Sequence, residues 1–244
     1  MSSDLAWLML GGFFAAFASG LAGFAFALIA SGVWYHLLPP TEAAPLVIAA
    51  STILQFGTMF SLREIVQWRT AAPFLLGGVF GVPLGTYVLA HVNPRTLGFA
   101  VGLLLILYAS WVLARLAFRL APRTVVAGGR GADAAVGFAG GVLGGIGGFS
   151  GALPTIWCDL RGWRKDTARG IYQPFILMVQ TIAMLGALSA GLFHGDTGEK
   201  LLWLLPALAL GGWLGVRLYR GATAERYRLL LITLLLVSGI SLVV

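Results

Sequence analysis

The chain has 244 residues, of which 59% are hydrophobic and only 10% charged, with a formal net charge of +7. A soluble domain is about one-quarter charged, so this composition, with a mean hydropathy of +0.90, excludes a water-soluble fold and points to spans of a bilayer. The basic surplus suits cytoplasmic loops of a membrane protein rather than a nucleic-acid surface, and the one cysteine, Cys158, excludes an internal disulfide and a cysteine metal site and reads as packing.

In chain order, Met1-Ser2-Ser3-Asp4 lacks a positive leader region, so no cleavable signal is expected. Residues 5–38 are apolar but interrupted by glycine at 19–23. Spans are expected at 45–62, 71–90 and 97–114, followed by a basic linker at 121–133. Residues 134–160 form a second apolar stretch, interrupted at 144–148, and further spans are expected at 171–193, 201–218 and 229–244. Breakers and charge occupy the connections, among them Pro39-Pro40, Arg63-Glu64, Asn93-Pro94-Arg95 and the segment from Asp159 to Arg169. His36, His91 and His194 fall at span ends, where interfacial residues belong.

The second half echoes the first. A shift of 125 residues lays Gly12-Phe13 on Gly137-Phe138, Gly20 on Gly145, Gly23-Phe24 on Gly148-Phe149, and Gln55 on Gln180. This divides the chain into a first repeat at 1–120, the linker at 121–133 and a second repeat at 134–244.

Charge decides how each glycine-interrupted segment runs. If both cross as continuous rods, the Lys and Arg residues divide seven to nine between the faces. If both fold back at their glycines, Arg95 and Lys200 alone lie on one face and the other fourteen lie on the opposite one. The positive-inside bias selects the folded arrangement, with both termini outside and the linker in the cytoplasm. Each arm of about 15 residues reaches roughly 22 Å, short of a hydrocarbon core about 30 Å thick. The expected fold is therefore an all-α polytopic membrane protein of two inverted repeats, each a glycine-hinged hairpin, re-entrant or discontinuous, plus three transmembrane helices.

The hairpin tips are the candidate binding site. The first N–H groups of a helix lack internal partners and carry about half a positive charge. Inside a bilayer they must be satisfied by something else. The amides at Gly20, Gly23 and Phe24, and at Gly147, Gly148, Phe149 and Ser150, are candidate anion donors. Ser19 and Ser150 add hydroxyls, Gln55 and Gln180 add side-chain amides, and Phe24 and Phe149 supply apolar walls. Gln173 is a further neutral polar candidate. The span interiors show no ionisable group, so neutral donors point to an oxyanion, with no metal and no cofactor. Gly77, Gly81, Gly211 and Gly215 read as close helix packing instead.

Two halves that each open on a Gly-x-x-Gly-Phe segment, carry four hydrophobic segments and join through a basic loop resemble the sulfite exporter TauE/SafE family of membrane permeases. The resemblance runs from about residue 10 to 244. It implies transport of sulfur-containing anions such as sulfite, thiosulfate, sulfoacetate or isethionate in a bacterial inner membrane, leaving substrate, direction, coupling ion and oligomeric state open. The first tip, Gly20-Leu21-Ala22-Gly23, is poorer in glycine than the second, so unequal contributions are expected. Alternatives are an anion channel of the same fold, a lipid or isoprenoid-carrier transporter, and an intramembrane serine protease. The last rests on Gly148-Phe149-Ser150-Gly151 and lacks a histidine base near Ser150.

Overall fold

The computed structural model describes residues 3–91, 94–118, 124–125, 128–193 and 196–243, and among these the chain forms ten α-helices and no strand. The first five are α1 (Ser3–Ala22), α2 (Phe26–Leu37), α3 (Pro40–Ser61), α4 (Trp68–His91) and α5 (Pro94–Ala117). The second five are α6 (Gly129–Gly147), α7 (Ala152–Leu160), α8 (Lys165–Ser189), α9 (Thr197–Gly221) and α10 (Ala224–Val243). A 3-10 turn, Arg63–Ile65, follows α3. Among the described residues, five stretches are long and apolar enough to cross a membrane: Leu5–Ala22, Thr41–Ser61, Trp68–Val88, Lys165–Ser189 and Thr197–Gly221. Large apolar side chains such as Leu76, Phe80, Leu202 and Leu210 stand exposed on them, as lipid-facing positions require.

Several helices begin ahead of expectation, α3 at Pro40 and α10 at Ala224 among them, and two of these shifts change a reading. The helix α6 begins at Gly129, inside the expected linker, and α8 begins at Lys165 rather than at 171. The second shift draws Arg169 out of the expected loop and into a helix. Arg119, the linker residue Arg123 and His194 lie outside the described residues.

Both glycine-rich stretches break. The helix α1 stops at Ala22 because Gly23 takes φ +100°, and its N–H turns back to the Ser19 carbonyl at 2.6 Å. The helix α6 stops at Gly147 because Gly148 takes φ +76°, and its N–H reaches the Gly144 carbonyl at 2.9 Å. A residue with a Cβ pays about 1–2 kcal/mol for that conformation. The chain then folds back at each break. Trp34 Nε1, near the end of α2, donates to the Leu8 carbonyl at 3.1 Å, and Trp157 Nε1, near the end of α7, donates to Asp133 Oδ1 at 2.8 Å.

The most extensive packing pairs α4 with α6 and α1 with α9, the fourth helix of one half with the first of the other. Glycines permit both contacts. A Cβ on Gly77, Gly81 or Gly85 would run into the carbonyls of Ala134, Phe138 or Val142, and one on Gly211 or Gly215 into those of Phe13 or Phe17. The backbones touch through small residues spaced one turn apart, as in close membrane helix pairs. Both pairs run parallel. By contrast α3 and α8 run antiparallel: Gln173 donates to Thr58 Oγ1 at 3.0 Å, and Thr52 donates to the Gln180 carbonyl at 3.4 Å.

Candidate functional site

The first break is held by side chains from α3 and α8. A helix that ends inside a protein leaves its last carbonyls without intrahelical partners. Arg169, fully buried, supplies them: Nη1 donates to the Leu21 carbonyl at 2.6 Å, and Nη2 to those of Gly20 at 2.8 Å and Ser19 at 3.4 Å. Tyr172 donates to the Ala22 carbonyl at 3.1 Å, and Gln55 Nε2 to that of Gly23 at 2.9 Å. Arg169 Nε reaches Gln173 Oε1 at 2.9 Å, while Gln173 Nε2 donates in turn to Gln55 Oε1. The guanidinium lies 4.7 Å from the Tyr219 ring centre and forms no salt bridge with a carboxylate among the described residues. Its charge is set against the negative end of α1.

This arginine corrects the expectation that the span interiors lack ionisable groups. A sequence signal does exist: Arg169, Tyr172 and Gln173 fall at i, i+3 and i+4, which places them on one face of α8. Their partners on α1 and α3 lie between 115 and 150 residues earlier and follow no local pattern.

The second break is built differently. At Gly23 an added Cβ would lie 2.7 Å from the Tyr172 ring and 3.3 Å from the Arg169 guanidinium, so that space is full. At Gly148 the nearest atoms would be Ala27 Cβ at 3.5 Å and Gln180 Nε2 at 3.9 Å. The Gln180 side-chain amide is buried and hydrogen-bonds to no protein group among the described residues. Ser150 is 1% exposed and its hydroxyl has no partner; the same holds for Ser19 at 1% and Thr155 at 2%. Each is a buried polar group without compensation, a condition that costs roughly 1–3 kcal/mol. Neither α7, which begins just after Ser150, nor α2 carries a side-chain cap at its start.

The two breaks meet. A Cβ on Gly151 would collide with Phe24, and Ala27 at the start of α2 faces Gly148. Of the expected site residues, Ser19, Gly20, Gly23, Gln55 and Gln173 belong to the network around Arg169. Gly148, Phe149, Ser150 and Gln180 gather at the second break, where Gly147 closes α6, and Phe24 joins the two groups. Gly20 also packs against the backbone of Gly212 and Gly215. His36 sits in the last turn of α2, at the far end of its hairpin arm from the break and so about 15 Å or more away along the helix. It cannot serve Ser150 as a base. Among the described residues no group of His, Cys, Asp or Glu could hold a metal ion.

The sequence profile of the sulfite exporter TauE/SafE family matches residues 8–242, nearly the whole chain. The chain belongs to the sulfite exporter TauE/SafE family. It is thus a multi-pass membrane protein of a transporter family rather than of an enzyme family. No curated protein and no solved structure matches it. For a TauE/SafE chain, a pair of broken helices meeting inside a helical bundle is the arrangement in which transporters commonly hold their substrates.

Proposed function

We propose that this protein is a secondary permease that carries a small sulfur-containing anion, such as sulfite, thiosulfate, sulfoacetate or isethionate, across a bacterial inner membrane. The observation that carries this reading is Ser150: a buried hydroxyl without a partner, at the start of α7, which has no side-chain cap, close to Gly148 and the buried side-chain amide of Gln180. A helix start offers N–H groups and positive potential to an anion, and the hydroxyl and amide add directed donors. Phe24 and Phe149 form apolar walls. Ser19 adds a hydroxyl, while Gly20, Gly23, Gln55 and Gln173 act through the network that holds the first break in place.

In this account the halves are inverted repeats, with both chain ends in the periplasm and the linker in the cytoplasm. The antiparallel run of α3 and α8, equivalent helices of the two halves, supports it. The two hairpins enter from opposite faces and exchange roles as the site opens alternately to each side. Burial of Ser19, Ser150 and Gln180 corresponds to an occluded state. Arg169 makes the interior positive without touching the anion.

Counterflow tests the reading. Proteoliposomes loaded with unlabelled sulfite, thiosulfate, sulfoacetate or isethionate should accumulate the labelled form of the true substrate, whereas loading with phosphate should not drive uptake. Large unitary currents without counterflow would instead make the protein a channel.

A further inference from the structure

Where α3 and α9 end together, a cavity of about 530 Å³ opens on the surface, lined by Phe60, Arg63, Glu64, Trp213, Arg217 and Arg220 among others. We propose that it binds the headgroup of an anionic phospholipid, with the phosphate held by Arg63, Arg217 and Arg220.

Charge is the first reason. Three arginines face one glutamate in the lining, and none of the three forms a salt bridge among the described residues. The guanidiniums are nonetheless held in place. Arg63 lies 4.7 Å from the Phe60 ring centre, Arg217 lies 5.2 Å from that of Trp213, and Arg220 donates to the Ser61 carbonyl, tying one wall to the other. A fixed guanidinium presents its fork to phosphate oxygens at little further entropic cost.

Position is the second reason. On α3, Phe56 and Phe60 lie one turn apart and lead to Arg63; on α9, Leu210 and Trp213 lead to Arg217 and Arg220. All four apolar side chains are exposed, and both helices are long and apolar enough to cross the membrane and end at this cavity. In a bilayer the apolar ladders lie at acyl-chain depth and the arginines at headgroup depth. A free anion has no use for the ladders, and a zwitterionic headgroup leaves the surplus charge unbalanced. An anionic phospholipid satisfies both, with Glu64 accepting from a headgroup hydroxyl of the phosphatidylglycerol kind. The cavity shares no lining residue with the proposed anion site, so the proposal stands apart from the transport reading.

Native mass spectrometry of the full chain in detergent tests it. Phosphatidylglycerol, phosphatidylcholine or inorganic phosphate is added to delipidated protein. Wild type should retain phosphatidylglycerol at least about tenfold more than phosphatidylcholine, since each basic residue near a membrane surface is worth about a factor of five toward anionic lipid. The Arg63→Gln/Arg217→Gln/Arg220→Gln protein should lose that preference, and the control Arg164→Gln/Arg226→Gln should keep it. Should the triple variant fail to fold, Arg217→Gln, which removes the guanidinium over the Trp213 ring, should lose about fivefold. The proposal is overturned if the cavity variants retain the lipid like wild type, if the control loses it equally, or if inorganic phosphate at matched concentration displaces it.

Discussion

Gly23 and Gly148 share a left-handed backbone, yet substitution should affect them in different ways. Leucine at 23 would be forced into Tyr172 and Arg169, so Gly23→Leu should prevent stable folding. The Cβ of a leucine at 148 meets only Ala27 and Gln180 within 4 Å, both at ordinary distances, so Gly148→Leu should fold with a loss of about 1–2 kcal/mol for the backbone. It should then lose most transport, because the side chain fills the space beside Ser150. Detergent-solution melting and proteoliposome uptake separate the two outcomes; normal uptake by Gly148→Leu counts against the site. Arg169→Leu leaves the carbonyls of Gly20 and Leu21 unsatisfied, while that of Ser19 keeps the Gly23 N–H, and should cost about 3 kcal/mol or more. Arg169→Lys should recover less than half of that, since an ammonium is a point donor and cannot span three carbonyls as a planar fork does. Both are read from the unfolding midpoint. At this scale the glycines were legible in the sequence, because their clustering inside apolar stretches has few other uses. Arg169 was not, because an arginine beside a charged loop looks like an interfacial anchor. Its true partners are backbone groups, which leave no mark on side-chain pattern.

At the scale of helices, the small residues divide by what they touch. Gly81 sits against the Phe138 carbonyl, and Gly215 occupies the matching place against Phe17. Gly81→Leu and Gly215→Leu should each separate a parallel pair and abolish recovery of monodisperse protein. Gly57, in α3, has nothing within 4 Å of an added Cβ. Gly57→Ala should therefore be neutral or raise stability by up to about 1 kcal/mol, as helix propensity alone dictates. Equal damage from Gly57→Ala and Gly81→Leu would contradict the packing account. The pairing was half visible beforehand. The small-residue spacing in α4 and α9 marked them as contact helices, but which helix each would meet depends on tertiary placement that spacing does not encode. The starts of α6 and α8 were missed for a related reason: polar and glycine residues at a helix start look like loop until something packs on them.

Across the whole molecule, α3 and α9 are joined at both ends, through Glu42 with Lys200 at one and Ser61 with Arg220 at the other, so these helices run parallel through the bundle. With hairpins that fold back, the account puts both termini in the periplasm and the Arg63 turn in the cytoplasm. Alkaline phosphatase fused after residue 243 should be active and after residue 66 inactive; the reverse pattern would contradict the orientation. The proposed anion site itself is tested most directly by ligand-dependent melting of wild type beside Ser150→Ala. Removing a buried hydroxyl that lacks a partner should leave the ligand-free protein as stable as wild type or more so by about 1 kcal/mol. Wild type should be stabilised by the transported sulfur anion, as a ligand selective for the folded state requires, and Ser150→Ala should lose most of that shift. A Ser150→Ala protein that melts lower without ligand and keeps the full ligand-induced shift would contradict the account.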